Sequence, residues 1–238
     1  MFDYLERTAL ILGEEGLDKL KNARVAVLGL GGVGGSAAEA LCRAGVGNLL
    51  LVDSDKVTLS NLNRQLLATR STLGQPKAQA AQQRLTEINP NCNIDIAQRF
   101  YLPEECSFLY DWQPDYIVDA IDTVTAKLHL AEECMRREIG LTSSMGTGNR
   151  LDPSALRLGD VADTSGNGCP LCRVMRRELK KRGVKKLDVV YSVELPARGV
   201  CAEAEHGRHS PGSTPFVPPA AGCLLAWATV SRLLGLRK

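Results

Sequence analysis

The segment Arg24-Val-Ala-Val-Leu-Gly-Leu-Gly-Gly-Val-Gly34 carries the clearest structural signal, because an apolar strand runs directly into glycines that open a helix. Gly29 allows the tight turn, and Gly34 allows the helix to pack closely on the strand. Gly31 and Gly32 let the backbone approach a ligand, and the free N–H groups of the first helical turn attract phosphate. The segment predicts a nucleotide site; the alternative is a tight turn without a ligand.

Strand and helix signals alternate on both sides of this turn, which is the pattern of a parallel sheet with crossover helices on both faces. The sequence therefore predicts an α/β, Rossmann-like fold with a mostly parallel sheet and flanking helices. The predicted strands are 24–28, 48–52, 94–98, 116–118, 139–143, 155–158 and 188–193. The predicted helices are 3–21, 33–43, 76–88, 103–110, 124–137, 170–182 and 220–230.

The length of 238 residues suits one large α/β domain, so we expect a single domain over 1–238. Within it, 1–22 is predicted to form an N-terminal helical arm and 23–160 the nucleotide-binding core. Residues 161–238 are predicted to form an extension on the substrate side. Gly13 and Gly16 interrupt the apolar set of the arm, which consists of Leu5, Leu10, Ile11, Leu17 and Leu20.

The extension ends in a polar segment and an apolar helix. Residues 197–214 are rich in Gly and Pro and have little to bury, which predicts a mobile loop. Helix 220–230 is too short to span the hydrocarbon of a membrane, so we expect no membrane span. Two alternatives stay open for it, a buried closing helix or one that seeks a surface.

The composition is that of an ordinary globular protein, with 44% hydrophobic and 24% charged residues. This excludes disordered, fibrous and membrane-embedded classes. The net charge of +2 does not by itself indicate a polyanionic partner. Eight cysteines occur at irregular spacing without a signal-peptide pattern, which predicts free thiols and a cytoplasmic location.

A carboxylate and a cluster of donors follow the glycines. Asp53 ends the second predicted strand, about 20 residues beyond the glycines, where a carboxylate commonly binds a ribose hydroxyl. Asn61, Arg64, Gln65 and Lys77 lie on loops outside the strand ends, and Arg and Lys together suit a triphosphate. A nicotinamide cofactor and hydride transfer are the competing interpretation, but they leave Lys77 without a partner. The other alternative is that both cations are merely solvated.

Two carboxylates end the fourth predicted strand, in Asp115-Tyr-Ile-Val-Asp-Ala-Ile-Asp-Thr123. A hard cation such as Mg²⁺ binds carboxylate and phosphate oxygens, so one of them is a candidate metal ligand. We assign the metal to Asp122 and a structural role to Asp119, such as capping the helix that begins near Thr123.

Together these motifs resemble the adenylating family that includes ThiF, MoeB and HesA. The resemblance covers essentially the whole chain and is carried by Gly29-x-Gly-Gly-x-Gly34, Asp53-x-Asp55, Ser60-Asn-Leu-Asn-Arg-Gln65, Gly74-Gln-Pro-Lys77 and Asp119-Ala-Ile-Asp122. It implies ATP as substrate. It also implies a nucleotide site with these roles: Asp53 on the ribose with Asp55 beside it, Asn61, Arg64, Gln65 and Lys77 on the phosphates, and Asp122 on Mg²⁺.

The resemblance also implies a homodimer, in which Arg7 reaches into the neighbouring subunit's site. The catalytic candidates are then Arg7, Arg64, Lys77 and Asp122. Without the resemblance, an exposed helix charge would be the preferred interpretation of Arg7. The sequence leaves open whether a monovalent cation also binds.

Within the family, several segments resemble the branch of tRNA threonylcarbamoyladenosine dehydratases, also called TcdA or CsdL. They include Ser143-Ser-Met-Gly-Thr-Gly-Asn-Arg-Leu-Asp-Pro153 and Phe216-Val-Pro-Pro-Ala-Ala-Gly222. The branch implies adenylation of a modified adenosine's carboxylate in tRNA, followed by cyclisation with loss of water. Two alternatives remain: adenylation of the C-terminal glycine of a ubiquitin-like sulfur carrier, or a scaffold without turnover. A cysteine-desulfurase-associated sulfur acceptor is a possible partner by resemblance alone.

A basic helix gives independent support for an RNA partner. Eight Lys or Arg and one Glu lie between Arg173 and Lys186. On a helix, one face would carry Arg173, Arg176, Arg177 and Lys180, and such a row can follow phosphates without reading sequence. The alternative is a solvated helix face.

The cysteines and histidines give weaker signals. Cys169 and Cys172 form one Cys-x-x-Cys pair without a second, and two thiols alone do not close a tetrahedral site, so zinc is not expected. Helix packing is the preferred interpretation of this pair, with reversible oxidation as the alternative. A substrate that cyclises on itself needs no enzyme thiol, so we expect Cys201 to be dispensable. His129 is expected to be packed or exposed rather than catalytic.

Overall fold

The protein is described here by a computed structural model over residues 4–197, 201–202 and 210–237. One seven-stranded sheet forms its centre. The strands are β1 (Arg24–Leu28), β2 (Asn48–Val52), β3 (Asn93–Ala97), β4 (Tyr116–Asp119), β5 (Gly140–Ser144), β6 (Leu156–Asp160) and β7 (Asp188–Ser192). Their order is β3-β2-β1-β4-β5-β7-β6, and every neighbouring pair is parallel except β6 with β7. The predicted Rossmann-like fold is confirmed.

The two central strands have apolar side chains on both faces. Val25, Val27, Ile117 and Val118 are fully buried, because helices cover the sheet on both sides. The carboxyl ends of β1, β2 and β4 meet at one edge of the sheet, where the following loops begin. This edge is the expected ligand-binding position in an open α/β sheet.

Seven helices flank this sheet in the described part of the chain. They are α1 (Glu6–Asn22), α2 (Gly34–Arg43), α3 (Lys77–Ile88), α4 (Ser107–Asp111), α5 (Val124–Arg137), α6 (Pro170–Lys181) and α7 (Val217–Leu233). A Cβ added at Gly222 would lie 2.3 Å from the carbonyl oxygen of Val33, so this glycine lets α7 approach the start of α2 closely. The close contact ties the C-terminal helix to the glycine turn.

The closing helix is buried, which decides between the two alternatives left by the sequence. Ala221, Leu225 and Ala228 are fully buried in the core. The helix also begins at Val217 and not at residue 220, because Pro218 and Pro219 occupy its first turn, where no N–H donor is needed. Segment 103–110 differs as well: it divides into a 3₁₀ turn at Pro103–Glu105 and the short α4.

The apolar set of the N-terminal arm is only partly buried. Leu5, Leu17 and Leu20 are at most 9% exposed, whereas Leu10 and Ile11 are 87% and 85% exposed. Gly13, at φ +72° and ψ 167°, breaks α1 two residues after Ile11, as the sequence indicates. Leu10 and Ile11 belong to the apolar set but do not pack on this chain's own core.

The C-terminal extension is not a separate layer. Strand β7 enters the main sheet between β5 and β6. Farther on, β8 (Cys201–Ala202) and β9 (Ser210–Pro211) form a two-stranded antiparallel pair. The mobile loop predicted over 197–214 lies largely outside the described residues.

Candidate active site

The turn between β1 and α2 requires glycine at two positions. Gly29 has φ +84°, and a Cβ there would lie 2.7 Å from the carbonyl oxygen of Ala120. A Cβ at Gly34 would lie 1.7 Å from the carbonyl oxygen of Gly29. Gly29 and Gly31 line a cleft of about 450 Å³ at the carboxyl edge of the sheet. The backbone is thus open to a ligand where the sequence predicts it.

Gly32 was predicted to let the backbone approach a ligand, but its neighbours are other parts of the protein. A Cβ at Gly32 would lie 3.0 Å from Cβ of Pro218 and 3.1 Å from the carbonyl oxygen of Arg64. The missing side chain therefore makes room for α7 and the Arg64 loop rather than for a ligand.

Asp53 is fixed against the glycine turn by two backbone donors. Its Oδ2 accepts from the N–H of Leu30 at 2.6 Å, and its Oδ1 accepts from the N–H of Asp55 at 2.8 Å. Burial raises the pKa of the Asp53 carboxyl above its usual value, and nearby Lys77 opposes this rise. Each carboxylate oxygen can accept a further hydrogen bond, as binding of ribose hydroxyls requires, and Asp53 lines the cleft.

Lys77 and Asp55 form an ion pair at the floor of the cleft. Nζ of Lys77 lies 2.8 Å from Oδ2 of Asp55, and the Lys77 side chain is 8% exposed. The backbone N–H of Lys77 also donates to the carbonyl of Asp55 at 2.9 Å. The ammonium is thereby held in place with N–H donors to spare.

The loop after β2 brings three polar side chains to the same cleft. Arg64 donates through Nη1 to the carbonyl of Ser60 and to Oδ1 of Asn63, both at 2.9 Å. Asn61 is buried, and its Oδ1 accepts from the N–H of Thr58. Buried Gln65 has a side-chain oxygen without a hydrogen-bond partner among the described residues. An unpaired buried amide at a cleft is a reason to expect a polar ligand there.

Asp119 and Asp122 have separate environments. Asp122 is exposed and lines the cleft, and the Thr123 hydroxyl lies 3.4 Å from its Oδ1. Asp119 is fully buried and pairs with Lys127 at 2.9 Å. Its expected role as a helix cap is wrong, because α5 has no side-chain cap at its N-terminus. From the sequence, no role was assigned to Lys127, which is a lysine near the start of a helix.

Three further residues line the cleft on the β3 side, and the sequence analysis did not single them out. They are Arg99, Phe100 and Tyr101. Phe100 is 65% exposed, whereas Tyr101 is buried. The Tyr101 hydroxyl lies 2.9 Å from Nδ1 of His129, so His129 is packed as expected. Phe100 offers an apolar surface to a base or ring next to the polar floor.

Arg7 is exposed on α1 and does not belong to the described residues that line the cleft. Arg7 is therefore not positioned to act in this chain's own cleft. Arg7 precedes exposed Leu10 and Ile11 by about one helical turn. The three side chains are all exposed and lie within about one turn of one another on the N-terminal arm.

The basic row on α6 is only partly free to meet a partner. Arg173, Arg177 and Lys180 are exposed, although Arg177 pairs with Glu178 at 2.7 Å. Arg176 instead turns inward and donates to the carbonyl and hydroxyl oxygens of buried Thr164, both at 2.7 Å. Arg176 is half-buried and its Nη1 is held by a buried threonine, so it is less available to a polyanion than the other three cations of the predicted row.

Cys169 and Cys172 are buried at the start of α6, as the packing interpretation predicts. Hydrogen bonds from the Cys172 thiol and from backbone N–H groups, including that of Gly146, lower the pKa of Cys169 to about 5. The same pairing, together with burial, raises the pKa of Cys172. The Cys201 side chain, with His206 and His209, lies outside the described residues.

The described ranges contain neither a self-sufficient metal cluster nor a membrane-spanning helix. Across these residues, no three His, Cys, Asp or Glu side chains cluster as a self-sufficient metal site. Every helix in the same ranges is too short or too polar to cross a membrane.

The sequence of this chain is similar to those of known proteins of one family. A profile of the ThiF family matches residues 5–235. The tRNA threonylcarbamoyladenosine dehydratase of Bacillus subtilis is 41% identical over 245 residues, covering 98% of this chain and 96% of that protein. The molybdopterin-synthase adenylyltransferase of Escherichia coli is 40% identical over only 129 residues, or 54% of this chain and 51% of that protein.

A solved structure shares the whole fold. The crystal structure of E. coli tRNA N6-threonylcarbamoyladenosine dehydratase, TcdA, in complex with ATP matches with a TM-score of 0.89 at 30% identity. The match covers 98% of this chain and 95% of that one.

Proposed function

Because this chain belongs to the ThiF family, we propose that it adenylates the carboxylate of threonylcarbamoyladenosine in tRNA and so drives cyclisation of that base. The observation that carries the proposal is the single cleft that brings Asp53, Arg64, Lys77 and Asp122 together beside the glycine turn. The near full-length likeness to a dehydratase, against about half the chain for a molybdopterin-synthase adenylyltransferase, favours the tRNA substrate.

The first chemical step is attack of the substrate carboxylate on the α-phosphorus of ATP. A P–O bond forms, the bond to the bridging oxygen of the β-phosphate breaks, and pyrophosphate leaves. In the second step, a nitrogen of the substrate's own carbamoyl group attacks the activated acyl carbon and loses its proton, and AMP leaves. The net change is the loss of water from the base, with ATP converted to AMP and pyrophosphate.

The protein contributes position and charge rather than a nucleophile. Asp53 binds the ribose through its two fixed oxygens, and the backbone at Gly29 and Gly31 faces the phosphates. Lys77 and Arg64 neutralise phosphate charge as it shifts to the leaving group. Both cations are already oriented by protein partners, so little reorganisation accompanies the reaction.

The donor set at Asp122 fits a hard divalent cation. Mg²⁺ is commonly bound by one or two carboxylates together with substrate phosphates, and Asp122 presents an exposed carboxylate at the cleft wall. When bound, Mg²⁺ would neutralise charge on the phosphates. Asp122 is the described side chain that would hold it.

We also propose that the working unit is a homodimer in which Arg7 completes the partner's site. Support comes from Leu10 and Ile11, which are 87% and 85% exposed beside Arg7. Adjacent exposed aliphatic side chains are typical of a surface that is buried against a partner.

The exposed cations of α6 are proposed to face the tRNA. Arg173, Arg177 and Lys180 can approach phosphates, whereas Arg176 is committed to Thr164. Contacts of this kind give affinity that falls steeply with salt and carry no sequence information.

The test is incubation with ATP, Mg²⁺ and tRNA that bears threonylcarbamoyladenosine, followed by digestion and mass spectrometry of the nucleosides. We expect a nucleoside lighter by one water, formed together with AMP. Pyrophosphate exchange with a Gly-Gly-ended carrier protein, and none with this tRNA, would instead indicate the sulfur-carrier activity. ATP binding without turnover on either substrate would indicate a scaffold.

A further inference from the structure

Lys127 is a fully buried lysine near the start of α5. Its ammonium donates to Oδ2 of Asp119 and to the carbonyl of Ser144, both at 2.9 Å. The Ser143 hydroxyl donates to the same Asp119 oxygen at 2.7 Å. One side chain thus joins the carboxyl ends of β4 and β5 to the beginning of α5.

This placement runs against local electrostatics. The N-terminal end of a helix carries partial positive charge, which disfavours a cation there. Removing a charge from water costs several kcal/mol, and a well-packed apolar pair is often equally stable or more so. Stability alone therefore does not explain the Lys127–Asp119 pair. Violations of local preference of this kind are expected where a site must be held in one geometry.

The pair closes a segment that forms one wall of the cleft. Asp119 and Lys127 stand at its two ends, and between them residues 120–123 line the cleft. Oδ1 of Asp119 accepts from the N–H of Ile121 at 3.2 Å, and the N–H of Lys127 donates to the carbonyl of Thr123 at 3.1 Å. Asp122 is exposed between these anchored residues, so its direction depends on the backbone that they hold.

We propose that Lys127 is a positioning residue of the adenylation site, acting through Asp119 and Ser144 to hold segment 120–123 and with it the Asp122 carboxylate. The proposal rests on the proposed function, in which Asp122 holds the divalent cation. Lys127 itself is fully buried and does not line the cleft, so it acts through its partners and not by contact with substrate.

The experiment measures ATP binding by calorimetry, without tRNA, as a function of Mg²⁺ concentration. It compares the wild type with Lys127→Met and with Arg232→Met. Arg232 is a matched control, because it forms another largely buried ion pair, with Asp188, and does not line the cleft. We expect Lys127→Met to raise the half-saturating Mg²⁺ concentration by about 10- to 100-fold, the range typical for loss of a residue that orients a metal ligand without binding the metal. Arg232→Met should change only the melting temperature.

A second variant covers the case in which Lys127→Met does not fold. Ser143→Ala removes one bond to Asp119 and keeps the ion pair, so we expect a smaller rise in the same direction. A folded Lys127→Met with the wild-type Mg²⁺ dependence, or an equal rise in Arg232→Met, would overturn the proposal. A wild type that binds ATP with Mg²⁺ but does not modify tRNA would contradict the proposed function, and the Mg²⁺ comparison would still decide the role of Lys127.

Discussion

The charged side chains of the cleft differ in how much the protein already holds them. Lys77 is buried and paired with Asp55, and Arg64 is half-buried and bound to two oxygens of its own loop. Asp122 is exposed, with the Thr123 hydroxyl as a distant neighbour. Because the Arg64 and Asp122 side chains contribute little to the core, replacing them should reduce activity without reducing stability.

We predict that Arg64→Ala or Asp122→Ala abolishes AMP formation while the melting temperature stays close to that of the wild type. Surface substitutions away from packing contacts usually change stability by within about 0.5 kcal/mol. AMP release by chromatography and thermal unfolding of the same samples check this. Arg70→Ala is the control, because Arg70 is exposed on the following loop and does not line the cleft; equal loss in that variant would contradict the assignment.

The Cys169 thiol gives a pH-dependent prediction. The Cys172 thiol lowers the pKa of Cys169 to about 5, so Cys169 is a thiolate at neutral pH and becomes protonated as pH falls through 5. Thiolate absorbance in the ultraviolet, taken as the difference from a Cys169→Ala variant, should titrate near that value. In Cys172→Ala the loss of the thiol donor should raise the midpoint. A wild-type midpoint above 8, or the same midpoint in Cys172→Ala as in the wild type, would contradict the pairing.

Some residues of the site could be predicted from the sequence and others could not. Asp53, Arg64 and Lys77 occur in short motifs whose chemistry is local, and the cleft contains all three. The sequence assigns no role to Lys127 and Phe100, since what each contributes depends on how the strands are placed in the fold. For Arg176 a prediction from the sequence was incomplete. Helical periodicity places it on the basic face, but in the structure its guanidinium donates to Thr164.

At the scale of elements, the glycines of the β1–α2 turn have two different roles. Its glycines divide into those that the fold needs and those that a ligand needs. A Cβ at Gly34 would overlap the carbonyl oxygen of Gly29, whereas a Cβ at Gly31 would meet only the side-chain nitrogen of Gln65, at 3.9 Å. The two positions therefore predict opposite outcomes for the same substitution.

We predict that Gly34→Ala destabilises the protein by about 1–3 kcal/mol, because an overpacked atom must displace the backbone. Gly31→Ala should keep the wild-type stability and weaken ATP binding, since its methyl group projects where the backbone meets the phosphates. Urea unfolding and calorimetric ATP binding on both variants test the pair. If Gly31→Ala binds ATP normally, the phosphates do not approach the turn at this position.

Some element boundaries could be predicted from the sequence and others could not. The α5 bounds of Val124–Arg137 match the prediction. Helix α7 begins earlier than its apolar run, because two prolines are compatible with a first helical turn. The insertion of β7 between β5 and β6 could not be predicted, since strand order depends on contacts across the whole sheet.

At the scale of the whole molecule, the exposed N-terminal arm points to assembly. We predict that the wild type is a dimer by light scattering and that Leu10→Asp combined with Ile11→Asp yields a folded monomer. Both side chains are exposed in the single chain, so the change should not disturb its core. The monomer should lose activity, because Arg7 no longer reaches a partner's site. A dimer that survives both substitutions would place the interface elsewhere.

The whole chain is proposed to perform one reaction, in which a substrate carboxylate displaces pyrophosphate from ATP. This reaction transfers one oxygen atom of the carboxylate to the AMP that is released. We would supply tRNA whose threonylcarbamoyladenosine carboxylate carries the heavy isotope of oxygen, and weigh the AMP formed. The expected result is AMP that carries one heavy oxygen; AMP that carries none, formed together with the dehydrated base, would contradict the acyl adenylate route.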